Sequence, residues 1–199
     1  MNWWLRAHWA AWCAGTVVLM LVLAPLLVGS SLPIPSLFAG MAGALPVPLM
    51  LPAIPAAMAL YAAQRVPHGY ELTSVRPQSR YRTVWIVGIC FLAAAAAVLE
   101  MVVIDFPLAL AVVRNLAGYI GTGMIVQYLA GRQYGPIAVA VLPPTCALIG
   151  LGSGGRPFSW TWPLHPTDSP WAAAAALGLL ALGLTVGPRR PPWRSGGHT

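Results

Sequence analysis

Residues 65–82, RVPHGYELTSVRPQSRYR, form the longest polar stretch between apolar runs, with four of the chain's eleven arginines and one acid, Glu71. On both sides the chain turns apolar. Residues 40–63 before it carry no charge, and residues 84–104 after it carry only Glu100. A basic connection between two runs of this kind marks the cytoplasmic side of a membrane protein, where Arg and Lys are retained. The other arginines follow the same alternation. Nine of the eleven lie at Arg6, in this connection (Arg65, Arg76, Arg80, Arg82), at Arg132 and in the tail (Arg189, Arg190, Arg194). The intervening connections hold Asp105, Asp168 and one arginine, Arg156, while Arg114 lies inside an apolar run.

Composition points the same way. Only 8% of residues are charged and 58% are apolar, against about 25% charged in ordinary globular domains. A water-soluble fold of 199 residues has too little interior to hide that much hydrocarbon, so lipid is expected to be part of its solvent. The net charge of +7 sits beside apolar runs, which suits anionic headgroups and not nucleic acid. All basic residues are Arg beside abundant Ala, Gly and Pro, as in a GC-rich bacterial genome. Cys13, Cys90 and Cys146 each lie within apolar runs without CxxC pairing, and read as buried thiols instead of a disulfide framework. The N-terminal run lacks a small-x-small cleavage site and reads as a retained span.

The expected fold is all-α and polytopic, in a bacterial cytoplasmic membrane: six transmembrane helices with both termini cytoplasmic. The spans fall near residues 12–28, 40–63, 84–104, 107–130, 135–151 and 171–187, each close to the roughly 20 residues that cross the hydrocarbon. Residues 1–11, with Trp3, Trp4, Trp9, Arg6 and His8, are either a short interfacial helix or an extension of the first span. Residues 1–187 then make one transmembrane domain, and the Pro, Arg and Gly-rich residues 188–199 a disordered tail. Pro46, Pro48, Pro52 and Pro55 forbid a regular helix in the second span, and Pro143-Pro144 disturb the fifth. Such backbone survives at membrane depth only under cover, so both are expected inside an assembly. Asp105 is the expected N-cap of the fourth span, with Phe106 and Pro107 opening it.

Glu100 and Arg114 flank the turn at Asp105 and are expected at similar depth. They form either an ion pair locking that hairpin or a lining group of a substrate path, with Asn115 and Asp105 nearby. Gly118, Gly121 and Gly123 lack the strand-turn-helix setting of a phosphate loop and read as helix-packing sites. Tyr61, Gln64, Tyr119, Gln127 and Tyr128 read as bonds between helices or a path lining. Gly152-Ser153-Gly154 has no buried His to activate the serine, since His8, His68, His165 and His198 lie in connections or termini. No catalytic residue, metal site or resident cofactor is expected. Residues 152–170, with Phe158, Trp160 and Trp162, are either a re-entrant or interfacial segment or an extracellular loop with an aromatic anchor.

Six spans, an interfacial start, a basic connection with helical potential after span two and an aromatic connection before span six resemble the permease subunits of type-two-class ATP-binding-cassette exporters. Compact actinobacterial members are included. The most specific local part is Glu71, then Val75-Arg76-Pro77 and Arg80-Tyr81-Arg82, where such permeases carry their coupling helix. The resemblance implies that Tyr70, Glu71, Arg76, Arg80 and Arg82, with Arg132 nearby, face a separate nucleotide-binding ATPase that holds ATP and magnesium. It implies a second permease chain, identical or similar, and export of an amphipathic peptide, lipid or natural product. Residues 152–170 would match the outer re-entrant region, although here that region is short and span two is unusually rich in Pro. The competing reading is a non-transporting accessory, immunity or sensor protein of the membrane.

Overall fold

The computed structural model describes residues 10–35, 42–63, 78–152 and 156–187. It is mostly helical, consistent with an all-α chain. Helix α1 is Ala10–Leu26, and a small antiparallel sheet of β1 (Ser31–Pro35) and β2 (Ala42–Pro46) follows. Next come α2 (Val47–Met50), α3 (Ala53–Ala62), α4 (Gln78–Val103), α5 (Ala109–Leu129), α6 (Tyr134–Ile149) and α7 (Pro170–Val186). A short 3-10 turn, Trp162–Leu164, lies between α6 and α7.

Two helical stretches, Arg82–Val103 in α4 and all of α5, are long and apolar enough to cross a membrane. The other helices are apolar but shorter, α1 and α7 having 17 residues each and α6 having 16. At about 1.5 Å per residue these reach most of the way through a hydrocarbon layer. Proline shortens the second segment most. Residues 42–46 pair as a strand, so the helix starts only at Val47, with Pro46 at its N-cap and Pro48 in its first turn. Both positions tolerate a residue without an N–H. Pro52 and Pro55 then remove the donors that Pro48 and Leu51 would have used, and the chain breaks between α2 and α3. Ile54 N bonds to Leu51 O instead, at 3.1 Å.

Helix α5 is the centre of the bundle, with α3, α4, α6 and α7 packed around it. The peripheral helices each bury one stripe at helical spacing. In α1 it is Cys13, Val17, Met20 and Ala24; in α4 it is Ile86, Ile89, Ala93 and Ala97. In α5 every residue from Ala111 to Gly121 is buried. Within the chain, α5 takes the central place. Helix α3 packs closely on it, while α6 leaves Ile137 and Val141 exposed. The glycines expected to serve packing do so. A side chain on Gly121 would strike the α7 backbone at Leu179 and Leu180, and one on Gly123 would strike Leu60 and Val139.

The turn between α4 and α5 differs from expectation. Asp105 has φ 50° and follows the end of α4, while the N-cap of α5 is Leu108. Asp tolerates the left-handed region better than most residues. The turn lets Ile104 N (3.0 Å) and Phe106 N (3.5 Å) both reach Glu100 O.

Candidate functional site

Buried polar groups lie along α5 from its Asp105-side half to its far end. In the half nearer Asp105 and at the midpoint, Arg114, Asn115 and Tyr119 face backbone carbonyls from two other parts of the chain. Asn115 Nδ2 donates to Leu49 O (3.2 Å) and Pro163 O (3.0 Å), and the Tyr119 hydroxyl donates to Leu49 O (3.2 Å). Leu49 lies just before the proline break of α2, where backbone acceptors are short of partners. Arg114 donates from Nη1 to Pro166 O (2.8 Å), from Nη2 to His165 O (2.9 Å), and from Nε to Asn115 Oδ1 (3.3 Å).

Arg114 and Glu100 therefore do not form the expected ion pair. Arg114, 9% exposed as a residue, turns its guanidinium toward the 162–166 segment and takes carbonyl oxygens as its partners. Its fork of five N–H donors can satisfy several such acceptors at once. Glu100 stays on α4, half-buried, one turn from the helix end. Asn115 joins the network at its centre.

The connection before α7 folds onto this site. Leu151 pairs with Pro157, and Gly152 N bonds to Arg156 O at 2.9 Å. The Thr161 hydroxyl lies 2.7 Å from Phe158 O and 3.1 Å from Gly150 O; its single proton serves one of them at a time. Trp162 is 6% exposed. Its ring covers Gly118 so closely that any Cβ there would collide, and it tilts against Tyr119 with centroids 5.3 Å apart. The three aromatics singled out from sequence thus divide: Trp162 enters the bundle, while Phe158 and Trp160 stay exposed. Trp171 Nε1 secures the outer rim through Ser159 O at 3.0 Å. Thr167 Oγ1 reaches Pro107 O at 3.2 Å, tying the connection to the start of the α5 segment.

At the opposite end, Gln127 joins three helices. Its Oε1 accepts from Arg82 Nη2 of α4 (2.8 Å), and its Nε2 donates to Leu60 O of α3 (3.4 Å). Arg82 thus directs part of its guanidinium into the bundle and differs from a purely outward-facing coupling residue. Arg132 is half-buried in the tight turn after α5, which Gly131 opens with φ 119°. Tyr70, Glu71 and Arg76 lie outside the described residues, as do residues 1–9, Gln64, Ser153 and the tail from residue 188. Arg80 lies in the first turns of α4.

Among the described residues, no group of three or more His, Cys, Asp or Glu is placed to hold a metal ion. What the site does chemically is hold carbonyls. Asn115, Tyr119 and Gln127 stand at multiples of four residues along α5, with Gly123 between. That spacing keeps them on one broad face of the helix, the one that meets α2 and α3. The same spacing in the sequence was the available sign that these side chains act together. The carbonyls they would find depend on where the proline-broken backbone leaves acceptors, which spacing does not encode. Compared with known proteins, the chain matches no family model, no curated protein and no solved structure.

Proposed function

We propose that the chain is a multi-span protein of the bacterial cytoplasmic membrane, with six crossing segments and both termini inside, and that it serves as the permease subunit of an ATP-binding-cassette exporter. The observation that carries the membrane reading is the bundle's surface. On α4, Phe91 and Leu92 are 71% and 68% exposed, with Val84, Leu99, Val102 and Val103 also outside. An apolar face of that extent suits hydrocarbon and not water. In this reading the Asp105 end faces outward and the Arg82–Arg132 end faces the cytoplasm. The shorter helices complete their crossings with the non-helical backbone packed at their ends, such as the β1–β2 hairpin and the 156–169 connection.

The permease reading rests on the basic connection 64–77 and the arginines bordering it, which offer a partner surface on the cytoplasmic side. The separate ATPase supplies ATP hydrolysis, and a second permease chain completes the path. The scarcity of charge in the described helices favours an amphipathic peptide, lipid or natural product over a highly charged solute. The deciding experiment is affinity purification of the full chain in mild detergent, with identification of what co-purifies. A stoichiometric nucleotide-binding subunit, lost on charge reversal at Glu71 and Arg76, is expected. Recovery of the chain without one, under conditions that keep a control transporter intact, would leave the accessory, immunity or sensor reading in its place.

A further inference from the structure

Exposed aromatic rings stand together at the outer end of α7. Phe158 and Trp160 come from the connection before it, and Trp171 from its first turn. Trp171 Nε1 donates to Ser159 O at 3.0 Å, which holds that indole against the backbone between the other two. Trp171 also heads the outer stripe of α7. Ala174, Gly178, Leu182 and Thr185 follow it at helical spacing, all exposed, while Ala172, Ala176 and Gly183 face inward. The stripe carries no charge, so the rings cap a continuous apolar surface that suits hydrocarbon.

Their height follows from the packing of α7. It runs in the same direction as α5, since Gly121 meets Leu179 and Leu180 while Gly183 and Gly187 meet Met124 further along. Gly121 lies near the middle of α5, and Trp171 precedes Leu180 by nine residues, about 13 Å outward at helical rise. Hydrocarbon ends about 15 Å from the bilayer midplane. The rings therefore fall where hydrocarbon gives way to headgroups, the level that indoles prefer. The two indoles differ in one atom. The N–H of Trp171 is answered by Ser159 O, whereas that of Trp160 has no partner among the described residues. An unanswered N–H is costly away from water, so Trp160 needs an ester, phosphate or water oxygen and Trp171 does not.

We infer that Phe158, Trp160 and Trp171 anchor the chain to outer-leaflet phospholipid, with Trp160 at the headgroups and Trp171 deeper, against the acyl chains. This rests on the reading of the chain as a membrane protein, and the test separates the two.

The full chain is reconstituted in phosphatidylcholine vesicles, either plain or containing lipid brominated just below the headgroup or deep in the acyl chains. Bromine quenches an indole that it touches. Subtracting the emission of Trp160→Phe, Trp171→Phe or Trp162→Phe from that of wild type isolates each ring. Shallow bromine is expected to lower the Trp160 signal about twofold or more, as for an indole at the interface, and deep bromine to lower it less. Deep bromine should lower the Trp171 signal more than that of Trp160. Trp162, enclosed over Gly118, should be spared by both. Should a phenylalanine variant fail to reconstitute, Trp160→Tyr and Trp171→Tyr serve the same subtraction. Trp160 and Trp171 signals that ignore bromine would overturn the inference. Quenching by aqueous acrylamide would then report a loop in water, and its absence a second copy covering the rings. The reverse depth order would overturn it as well. Vesicle association after a carbonate wash scores the membrane reading separately: a chain that stays bound with both rings unquenched sinks the anchor alone.

Discussion

Helices α4 and α5 are the two long helices, joined by one tight turn, and they follow opposite rules. The more apolar of the pair, α4, has 22% of its most apolar stretch buried, whereas α5, the less apolar, has 67% buried. In a fold surrounded by water the relation runs the other way, since apolar stripes turn inward and polar faces outward. Here the outside takes the hydrocarbon, and the inside holds Arg114, Asn115, Tyr119 and Gln127 on carbonyl and side-chain partners. The lesson is that the polarity of Arg114, Asn115, Tyr119 and Gln127 is affordable because these groups are answered by protein partners; Thr122 Oγ1 is the buried exception.

The largest effect that could break this comparison comes from α4. Leu92→Arg puts a charge at mid-helix on the exposed face, at an insertion cost of about 2.5–3.5 kcal/mol. Expression in cells should show the variant largely lost from carbonate-washed membranes. Wild-type recovery would mean that water, not lipid, meets that face.

Next in size is a pair of glycines. Gly121→Val forces a side chain into the α7 backbone, while Gly88→Val on α4 meets open space. The first should cost about 1–3 kcal/mol or more through overpacking, seen as a fall in Tm of the detergent-purified chain. The second should stay within about 0.5 kcal/mol of wild type.

A third contrast sets Asn115→Leu against Glu100→Gln. The asparagine change leaves Pro163 O without its Asn115 donor and takes an acceptor from Arg114 Nε, while Leu49 O keeps Tyr119; the expected loss is about 1–3 kcal/mol. The glutamate change removes a charge that bonds to no described side chain, and thermal unfolding should find it neutral or mildly stabilising. A drop for Glu100→Gln as large as that for Asn115→Leu would show that α4 also hosts a functional polar contact. The smallest effect is expected for Tyr119→Phe, about 1 kcal/mol, because Leu49 O keeps its bond from Asn115.

Much of the architecture was legible in the sequence because hydrocarbon runs and arginine placement are local signals. The position of the turn near Asp105, though not the cap that Leu108 provides, and the packing role of Gly121 and Gly123 could be read from residue type and spacing. The start of the second segment was not. Residues 42–46 read as part of an apolar run, and hydropathy alone does not separate a strand from a helix. Their Gly and Pro content was the only available clue, and pairing with residues 31–35 decided the outcome. The ion-pair reading of Arg114, one of the two offered, fails for a different reason. Opposite charges close in sequence invite pairing, but a guanidinium also satisfies itself on carbonyls, and the 162–166 segment that supplies them lies about fifty residues further on. Tyr70, Glu71 and Arg76, to which the resemblance assigns a coupling role, lie outside the described residues.

The crossing of α5 and α7 at Gly121 and Gly183 limits how the bundle can move. A Cβ on Gly183 would sit 2.8 Å from Gly121 O and 3.1 Å from Gly121 Cα, so backbone meets backbone with no rotamer between them to yield. A screw displacement of α7 by one residue, about 1.5 Å along and about 100° around its axis, would bring Leu182 or Leu184 to that point, where neither fits. The close backbone contact therefore resists small register shifts at this joint, and hinge-like parting of the two helices disturbs it less. A displacement of α7 from α5 would have to part this contact.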